Sequence, residues 1–581
     1  MKSSIVGDQF SVVDHLEISK NPKAQRGQTT QWVIQVGTYA LVVFLVLSPL
    51  LMLGYGSLRT APPGAEGGFT LDNFDEILSA RYIPALKNTL IVGISSAIGC
   101  ALFGTFLAWV VFRTNLPGRQ WLGILLTATF YFPSFLTAEA WAVLLAPRSG
   151  LINNLIRTVL PDFGGINIYS IAGIVWVATL AYLPYTFLFL AGPFQSMDPS
   201  LEEAASTAGA NRWRVVFTIT TPLASYAILS GGLITFILAI GLFGVPAIIG
   251  MPSQIYVLST QIYSLLEFYP SNYQVAAALS VLLMMLTITA VWVQRYITTR
   301  QTYTAITGKG YRPQPFDLGN LKWTAFGICV TYLLLAVVLP AASLLYVSLK
   351  PFYDGKIDFT QLTLYHYKEI LFSYPITWRA FRNSMILSTG GATIAILLCA
   401  VVSYMVIKGR MRFKGLLETL AMLPSAVPGL VISVGLLWAY IRTPIYGTIF
   451  ILLVSYITHY LPLGFRIVSS NLVQLDDSLE ESARVAGSSW LRTFSSIILP
   501  LIRPAMISGW LLLFVAFFRE LSSAVFLCTH GNEVLSVAIW DLHTNGNLGM
   551  LSALAILMLM VVYSVFFITN WFGKSMTKES N

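Results

Sequence analysis

Long apolar runs with few charges constrain this chain more than any other feature of its sequence. A helix needs about 20 apolar residues to cross the hydrocarbon core of a bilayer, and twelve runs reach that length. Backbone polar groups must be satisfied inside lipid, and the runs are too long for barrel strands, so they predict membrane helices. Numbered 1 to 12 in chain order, the predicted spans are 32–53, 89–111, 121–145, 169–190, 222–247, 273–294, 323–347, 384–407, 416–440, 446–466, 504–527 and 548–572.

The charge balance supports a membrane protein and predicts its orientation. Charged residues make up only 10% of the 581 residues, against about 25% in soluble domains. The net charge of +9 could indicate a nucleic-acid partner. However, with the N-terminus inside, most of the Lys and Arg residues lie on cytosolic segments, as the positive-inside rule requires. We therefore expect both termini in the cytosol, with span 1 kept as an anchor because residues 1–31 lack the pattern of a cleavable signal peptide.

The second half of the chain repeats the first. Residues 69–78, FTLDNFDEIL, match residues 362–371, LTLYHYKEIL, and further matches follow in the same order. Each half holds six predicted spans, an even number, so both enter the membrane from the same side and form parallel repeats. The further matches pair 85–90 with 380–385, Pro133-Ser134 with Pro424-Ser425, 182–184 with 460–462, 197–222 with 475–500, and 257–259 with 534–536.

The repeat predicts two halves joined by a polar linker. The predicted organisation is a cytosolic tail at 1–31, a first half at 32–295 with its core repeat at about 85–295, a cytosolic linker at 296–322, a second half at 323–574 with its core repeat at about 380–572, and a cytosolic tail at 575–581.

Several spans contain Pro and Gly within the apolar run. The stretches FPSFLT, LPSAVPGL and LFGVPAIIG are typical of broken membrane helices that line a cavity. Proline is also common in ordinary membrane helices, so both interpretations stay open.

One charged, amphipathic segment interrupts the apolar pattern in each repeat. In the first repeat, Asp198 can cap a short helix, and Ser200 and Glu203 have the spacing of a capping box. Gly209 fits a left-handed stop, and a second short helix is expected to end at Pro222 before span 5. The pattern recurs at 475–500, so each repeat predicts a helix, a glycine turn and a second helix on the cytosolic side.

These two segments resemble the EAA loop of bacterial ABC-importer permeases. That motif is Glu-Ala-Ala, three residues, Gly, and an apolar stretch ending in Pro. EAASTAGANRWRVVFTITTP matches it, and ESARVAGSSWLRTFSSIILP differs only in a small-for-small change to Ser482 within Glu-Ala-Ala. In that family the loop forms a helix that docks onto a separate ATPase. The resemblance therefore implies a coupling surface that contains Glu202, Glu203, Ala204, Ala205, Gly209, Arg214, Pro222, Glu480, Glu481, Ser482, Ala483, Gly487, Arg492 and Pro500.

The resemblance also implies a fold and a set of partners. The implied fold is that of a type I ABC-importer permease, an all-α integral membrane protein with about 12 transmembrane helices in two parallel six-helix repeats. The implied partners are two copies of a cytosolic ABC ATPase subunit and an extracytoplasmic solute-binding protein, at a bacterial inner membrane. The fused layout, with VLSTQIY at 257–263 and RELSSAVFL at 519–527, is most similar to the ferric-iron permease subfamily. Relatives with this layout also serve thiamine, aminoethylphosphonate, polyamines or other small solutes, so the solute stays open.

The chain carries no motif of its own for ATP hydrolysis. LSGGL at 229–233 resembles part of the ATPase signature, but it lies inside an apolar span, and no GxxxxGK[ST] phosphate loop occurs. We therefore expect a permease subunit that is not itself an enzyme, needs no cofactor and takes its energy from a partner. The four cysteines and five histidines show no metal-ligand spacing, so no metal site is predicted.

Four ionisable residues within or at the ends of the spans are candidates for the translocation path: Glu139, His459, Arg519 and Glu520. Such groups are costly in lipid and are often functional. Arg519 and Glu520 are adjacent, so their side chains must point in different directions. Structural pairing of these charges, and simple packing of His459 beside Tyr460, remain the alternatives.

Two other function classes fit less of the sequence. Twelve helices in two parallel halves also describe a secondary transporter of the major facilitator layout. The corresponding loop here, FRTNLPGR at 112–119, lacks the Asp of that family's motif. A membrane enzyme would need paired carboxylates, a Ser–His arrangement or clustered metal ligands, and none occurs at meaningful spacing.

Overall fold

The computed structural model describes residues 22–198, 200–299, 315–409 and 413–579. Most of the predicted N-terminal tail, the centre of the predicted linker and the last two residues lie outside these ranges. Within them the chain is helical, and its only β pairs are isolated bridges between Arg59 and Phe69 and between Thr114 and Phe316. The predicted all-α class is confirmed.

The helices agree in number with the predicted spans. Across the described ranges, nine single helices are long and apolar enough to cross a membrane, and three bent pairs raise the total to as many as twelve. The nine are Thr29–Ser57, Ile83–Arg113, Ile171–Ser196, Trp213–Ile240, Tyr273–Thr298, Leu321–Leu349, Pro375–Ile407, Ile449–Leu472 and Leu548–Ile568. The pairs are Arg119–Tyr131 with Ser134–Leu145, Lys414–Ala426 with Gly429–Tyr440, and Trp490–Leu501 with Arg503–Phe518. Shorter helices include Asp72–Ile77, Leu151–Val159, Ser200–Thr207, Leu258–Glu267, Tyr365–Lys368, Ser478–Val485 and Leu535–Thr544.

Spans 3 and 9 are each broken at a proline, as their Pro-containing stretches predict. The two parts of span 3 are bent by 93°, and the second part begins at Ser134, directly after Pro133. The second part of span 9 begins at Gly429, directly after Pro428. Both prolines have extended backbone, with ψ of 131° and 144°. Because proline cannot donate the backbone hydrogen bond of a continuous helix, the helix stops before it and restarts after it.

The break in span 9 corrects the predicted repeat alignment. The match of Pro133 with Pro424 is wrong, because Pro424 lies inside the short 3₁₀ turn Leu423–Ala426. Pro428 is the structural counterpart of Pro133, and it lies 295 residues further along the chain, as 380–385 does from 85–90. The shared Pro-Ser pair was a poorer guide than the place where each helix restarts.

Span 5 begins earlier than predicted. The expectation that Pro222 closes a short helix is wrong, because one helix runs from Trp213 to Ile240. The turn before the proline, Val216–Thr220, is a wider π-helical turn. Such a turn shifts the carbonyl groups that a proline ring would otherwise meet, so the helix continues through Pro222.

Spans 5 and 11 also end earlier than predicted. Their helices stop at Ile240 and Phe518. The apolar residues that follow form a short loop and the π-helical turn Pro246–Gly250 in the first repeat, and turns in the second. Span 11 differs further from span 5, because it is bent by 74° between Leu501 and Arg503. Apolar composition alone therefore overestimated the length of both helices.

The chain divides into two compact units. The first comprises the chain up to Leu50, with 385–425 and 453–517. Small residues allow close helix packing in this unit, since a Cβ at Gly464 would lie 2.6 Å from Cys399 Sγ. The Thr458 hydroxyl donates to the Leu45 carbonyl at 3.2 Å, which joins the first span to the same unit.

The second unit comprises 51–384, 426–452 and the chain from Phe518 onwards. Small residues again lie at its helix contacts, because a Cβ at Gly93 would approach Ile240 Cγ2 to 2.5 Å. The buried hydroxyls of Thr186 and Thr235 form a hydrogen bond of 2.9 Å between two of its helices. Close approach and buried hydroxyl bonds are the usual means of helix association in membranes.

Both repeats use the same three hydrogen bonds to hold the segment that follows span 5 or span 11. In the first repeat they run from Asn88 Nδ2 to the Tyr256 carbonyl, from Leu258 N to Thr89 Oγ1, and from Ser259 Oγ to the Leu242 carbonyl, at 2.9, 2.8 and 2.6 Å. In the second they run from Asn383 Nδ2 to the Glu533 carbonyl, from Leu535 N to Ser384 Oγ, and from Ser536 Oγ to the Glu520 carbonyl, at 3.0, 2.8 and 2.5 Å. The duplication is therefore preserved in individual bonds, and not only in the helix order.

Replacing Asn383 with Leu should destabilise the protein. Asn383 is buried, and its amide also donates to the Gly531 carbonyl, so the variant deprives two carbonyls of a donor. We expect the free energy of unfolding to fall by about 1–3 kcal/mol, seen as a lower thermal midpoint of the purified protein in detergent. N88L is the matched control, because Asn88 is only half-buried and makes one such bond. Equal losses in the two variants would contradict this account.

Candidate functional site

The first charged segment, called here the first loop (197–222), begins with a capped helix. The helix runs from Ser200 to Thr207. The backbone N of Ser200 donates to Asp198 Oδ1 at 2.9 Å, and this bond holds the pKa of Asp198 below its usual value. The helix is followed by a turn at Gly209, whose φ is +85°. A left-handed residue of this kind ends a helix at little cost only when it is glycine, so the sequence dictates the turn.

The second charged segment, called the second loop (475–500), is built in the same way. Its helix runs from Ser478 to Val485. Asp476 Oδ1 accepts from the Ser478 amide at 2.8 Å, which lowers the pKa of Asp476. Gly487 has a φ of +77°. The predicted first helix and glycine turn are therefore present in both loops, whereas the second helix is short only in the second loop, where it runs from Trp490 to Leu501.

In the first loop, Glu202 ties the loop helix to the membrane helices. Arg113, the last residue of helix Ile83–Arg113, pairs with Glu202 at 2.5 Å and also donates to the Met197 carbonyl at 3.1 Å. Thr220, at the start of span 5, donates to the second oxygen of Glu202 at 2.7 Å. Because Arg113 is buried, the pair is poorly screened by solvent and fixes the loop helix more firmly than a surface pair would.

In the second loop, the corresponding contacts use different chemistry. Lys408 lies 295 residues after Arg113 and donates to the Leu475 carbonyl at 2.6 Å. Its charge pairs with Asp477, and not with the counterpart of Glu202. That counterpart, Glu480, accepts from the Tyr404 hydroxyl at 3.0 Å and from Arg484 at 2.6 Å. A basic residue thus anchors each loop, while the partner of the first glutamate differs.

The remaining predicted loop residues mostly face outward. Glu203 and Glu481, the glutamates of the two EAA motifs, are both exposed. The other exposed positions are Ala204, Gly209, Arg214, Pro222, Ser482, Gly487, Arg492 and Pro500, while Ala205 is half-buried and Ala483 is buried. In each loop, therefore, the first glutamate bonds to other residues of this chain, while the second glutamate and an arginine are exposed.

Glu139 is paired across the repeats. It lies in the second part of span 3, is 2% exposed, and forms an ion pair of 2.5 Å with His543 of helix Leu535–Thr544. Burial lowers the pKa of His543, but the charge and the hydrogen bond of Glu139 together outweigh burial and raise this pKa overall. The His543 ring also stacks on Trp540, with ring centres 5.2 Å apart.

Arg519 and Glu520 have separate partners, as their adjacency predicts. Arg519 donates to the Phe130 carbonyl at 2.5 Å, at the break of span 3. The Glu520 carboxylate accepts from the Ser523 amide at 2.8 Å. The remaining candidate, His459, packs edge-on against the Tyr460 ring at 4.6 Å. A contact between any of these residues, or Glu139, and a solute stays a prediction.

Within the described ranges, no group of three or more His, Cys, Asp or Glu residues could hold a metal ion. All four cysteines are free, and three of them are buried. The chemistry available at the loops is therefore that of charged side chains and capped helices, which suits binding to another protein.

An aromatic cluster between the repeats was not predicted. Trp540 Nε1 lies 3.2 Å from the Tyr263 hydroxyl, and these two residues occupy equivalent positions relative to the repeated VLS stretches at 257–259 and 534–536. Phe243 and Phe526 complete the cluster. The Phe243 ring centre lies 5.2–6.2 Å from those of Tyr263, Trp540 and Phe526, and the Phe526 ring centre lies 5.7 Å from that of Tyr263. Equivalent residues can touch only close to the axis that relates two repeats. The VLS match could have identified this pair.

Comparisons with known proteins agree with the duplication and the loops. The family model described as "Binding-protein-dependent transport system inner membrane component" matches residues 100–303 and again residues 391–578. The "Ferric transport system permease protein FbpB" of Actinobacillus pleuropneumoniae is 29% identical over 87% of this chain and 73% of its own length. A relative in Salmonella typhimurium named for 2-aminoethylphosphonate transport is 28% identical over 42% of this chain and 86% of its own.

Among solved structures, a bacterial ABC transporter that imports the acidic polysaccharide alginate contains a chain similar to this one. It is 18% identical, covers 48% of this chain and 99% of its own length, and has a TM-score of 0.40.

The two family matches together cover more than half of the chain, and each contains one of the two loops. The chain therefore belongs to the family of inner membrane components of binding-protein-dependent transport systems, as a multi-pass permease with two copies of the family domain.

Proposed function

We propose that this chain is the membrane subunit of an importer of ferric iron. The single observation that carries the proposal is the similarity to a ferric transport permease over 87% of the chain, through both repeats. The 2-aminoethylphosphonate relative matches only 42% of the chain. Because no metal-binding cluster occurs in the described ranges, selectivity for iron would reside in the solute-binding protein that delivers it.

The two loops are the proposed docking sites for two copies of a cytosolic ATPase. Each loop is a rigid helix held to the membrane helices by its own acidic residue, and each presents an exposed Glu-Ala-Ala glutamate, Glu203 or Glu481. A rigid helix can transmit a displacement at its exposed face to the spans to which it is tied. The chain carries no phosphate loop, so a partner must hydrolyse ATP. This assignment places the loops and both termini in the cytosol.

Uptake by the reconstituted transporter should require a ferric-loaded binding protein outside and ATP on the ATPase side. We expect radiolabelled iron to accumulate in proteoliposomes that contain this chain, its ATPase and its binding protein, and 2-aminoethylphosphonate not to accumulate. ATP-dependent uptake of the phosphonate without iron uptake would leave the permease role intact and reject iron as the solute. Uptake driven by an ion gradient in ATP-free vesicles would reject the ABC mechanism.

The two glutamates of the first loop should have separable effects. E203Q changes an exposed carboxylate, so we expect weaker co-purification with the ATPase and an unchanged thermal midpoint of the permease alone. E202Q removes the charge that pairs with Arg113, so we expect the midpoint itself to fall, with a cost of about 1–3 kcal/mol.

The second loop supplies the matched pair of variants. E481Q should behave like E203Q, and E480Q like E202Q, since Glu480 is buried against Tyr404. If E203Q and E481Q both leave ATPase binding and uptake unchanged, the assignment of the exposed faces to the ATPase is wrong.

A further inference from the structure

The break in span 3 deprives the Phe130 carbonyl of a helical partner and leaves the Ala128 carbonyl with only the bond of a 3₁₀ turn. In a continuous helix, the Ala128 and Phe130 carbonyls would accept from the amides of Phe132 and Ser134. The Phe132 amide instead bonds the Thr129 carbonyl at 3.2 Å, and the 93° bend carries Ser134 into the next helix. Because a bilayer provides no water to replace a missing donor, such carbonyls need partners from elsewhere in the protein.

Two side chains from the second repeat supply these donors. Arg519 Nη1 donates to the Phe130 carbonyl at 2.5 Å, and its guanidinium lies 5.0 Å from the centre of the Phe130 ring. The Tyr563 hydroxyl reaches the Ala128 carbonyl at 3.4 Å. A charge-assisted hydrogen bond is stronger than a neutral one, and Arg519 makes the shorter contact, so Arg519 is the main partner of the break.

At the break in span 9 the roles of the repeats are exchanged, since the donor comes from the first repeat and the acceptor from the second. Thr287 of the first repeat donates to the Ala426 carbonyl at 2.6 Å. Gly241, the repeat counterpart of Arg519, lies against Pro428, where a Cβ would approach the proline ring to 3.1 Å. A side chain at that position would crowd the proline ring, and the glycine supplies no counterpart of Arg519 at the span 9 break.

We propose that Arg519 is a positioning residue for transport, which ties the break of span 3 to the second repeat without contacting the solute. The guanidinium is a suitable tie because it donates to the carbonyl and stacks on the ring of the same residue, Phe130. The proposal depends on the transport role of the family and holds whichever solute is carried.

Hydrogen exchange can test the tie locally, with Thr287 as the matched control. The samples are the complete transporter with ATPase and binding protein in nanodiscs. In R519M we expect amides of 128–136 to exchange at least about tenfold faster, with those of 424–431 within about twofold of the wild type. In T287V we expect the amides of 424–431 to exchange faster, with those of 128–136 close to the wild type. Unchanged exchange at 128–136 in R519M would overturn the proposal. If R519M does not assemble, R519K, which keeps a cationic donor but loses the planar guanidinium, should show an intermediate acceleration at the same amides. Unchanged exchange at these amides in R519K would also overturn the proposal.

Transport kinetics separate a positioning role from a solute contact. R519M should lower the maximal uptake rate at least about tenfold and leave the KM for solute-loaded binding protein within about twofold, and R519K should recover part of the rate. A raised KM with an unchanged maximal rate, or an altered solute preference, would mean that Arg519 binds the solute and would overturn the proposal.

Discussion

A bilayer offers no water to a backbone carbonyl, and much of the second unit depends on this constraint. Pro133 and Pro428 interrupt membrane helices, and each interruption exposes carbonyls that the helix can no longer satisfy. The donors come from the opposite repeat in both cases, from Arg519 at one break and from Thr287 at the other. The breaks made by the prolines thus become contacts between the two repeats.

The loops show how a duplicated sequence can keep an arrangement while changing its chemistry. Arg113 and Lys408 occupy equivalent positions in the two repeats. Each donates to a carbonyl just after the membrane helix that leads into its loop, yet only Arg113 reaches the first glutamate of that loop. Glu480 relies on Tyr404 and on a residue of its own helix instead. The first loop is therefore attached by the buried Arg113–Glu202 pair, and the second by the Lys408–Asp477 pair together with the Tyr404 hydroxyl on Glu480.

Features that depend on local composition and periodicity were predictable from the sequence, whereas features that depend on tertiary packing were not. The number of spans, the breaks in spans 3 and 9 and the glycine turn at Gly209 all follow from apolar length, proline and glycine chemistry. The continuation of span 5 through Pro222 was missed because a π-helical turn absorbs the proline, and composition does not reveal such a turn. The partner of Glu139 was missed for a different reason. His543 lies in another repeat, so only the folded arrangement brings the two together.

The position of Arg519 also restricts what can pass near it. At 4 Å and an effective dielectric constant of about 20, a unit charge and a triply charged ion repel by on the order of 10 kcal/mol. Such a barrier excludes a route on which a bare ferric ion passes an arginine at contact distance, whereas an anionic solute would be attracted to it. A ferric-iron permease can therefore keep Arg519 only if the guanidinium is held away from the route. Its bond to the Phe130 carbonyl and its stacking on the Phe130 ring commit it to the span 3 break. The positioning role and the ferric cargo are consequently compatible with each other, while a solute-contacting Arg519 would favour an anionic cargo such as a phosphonate.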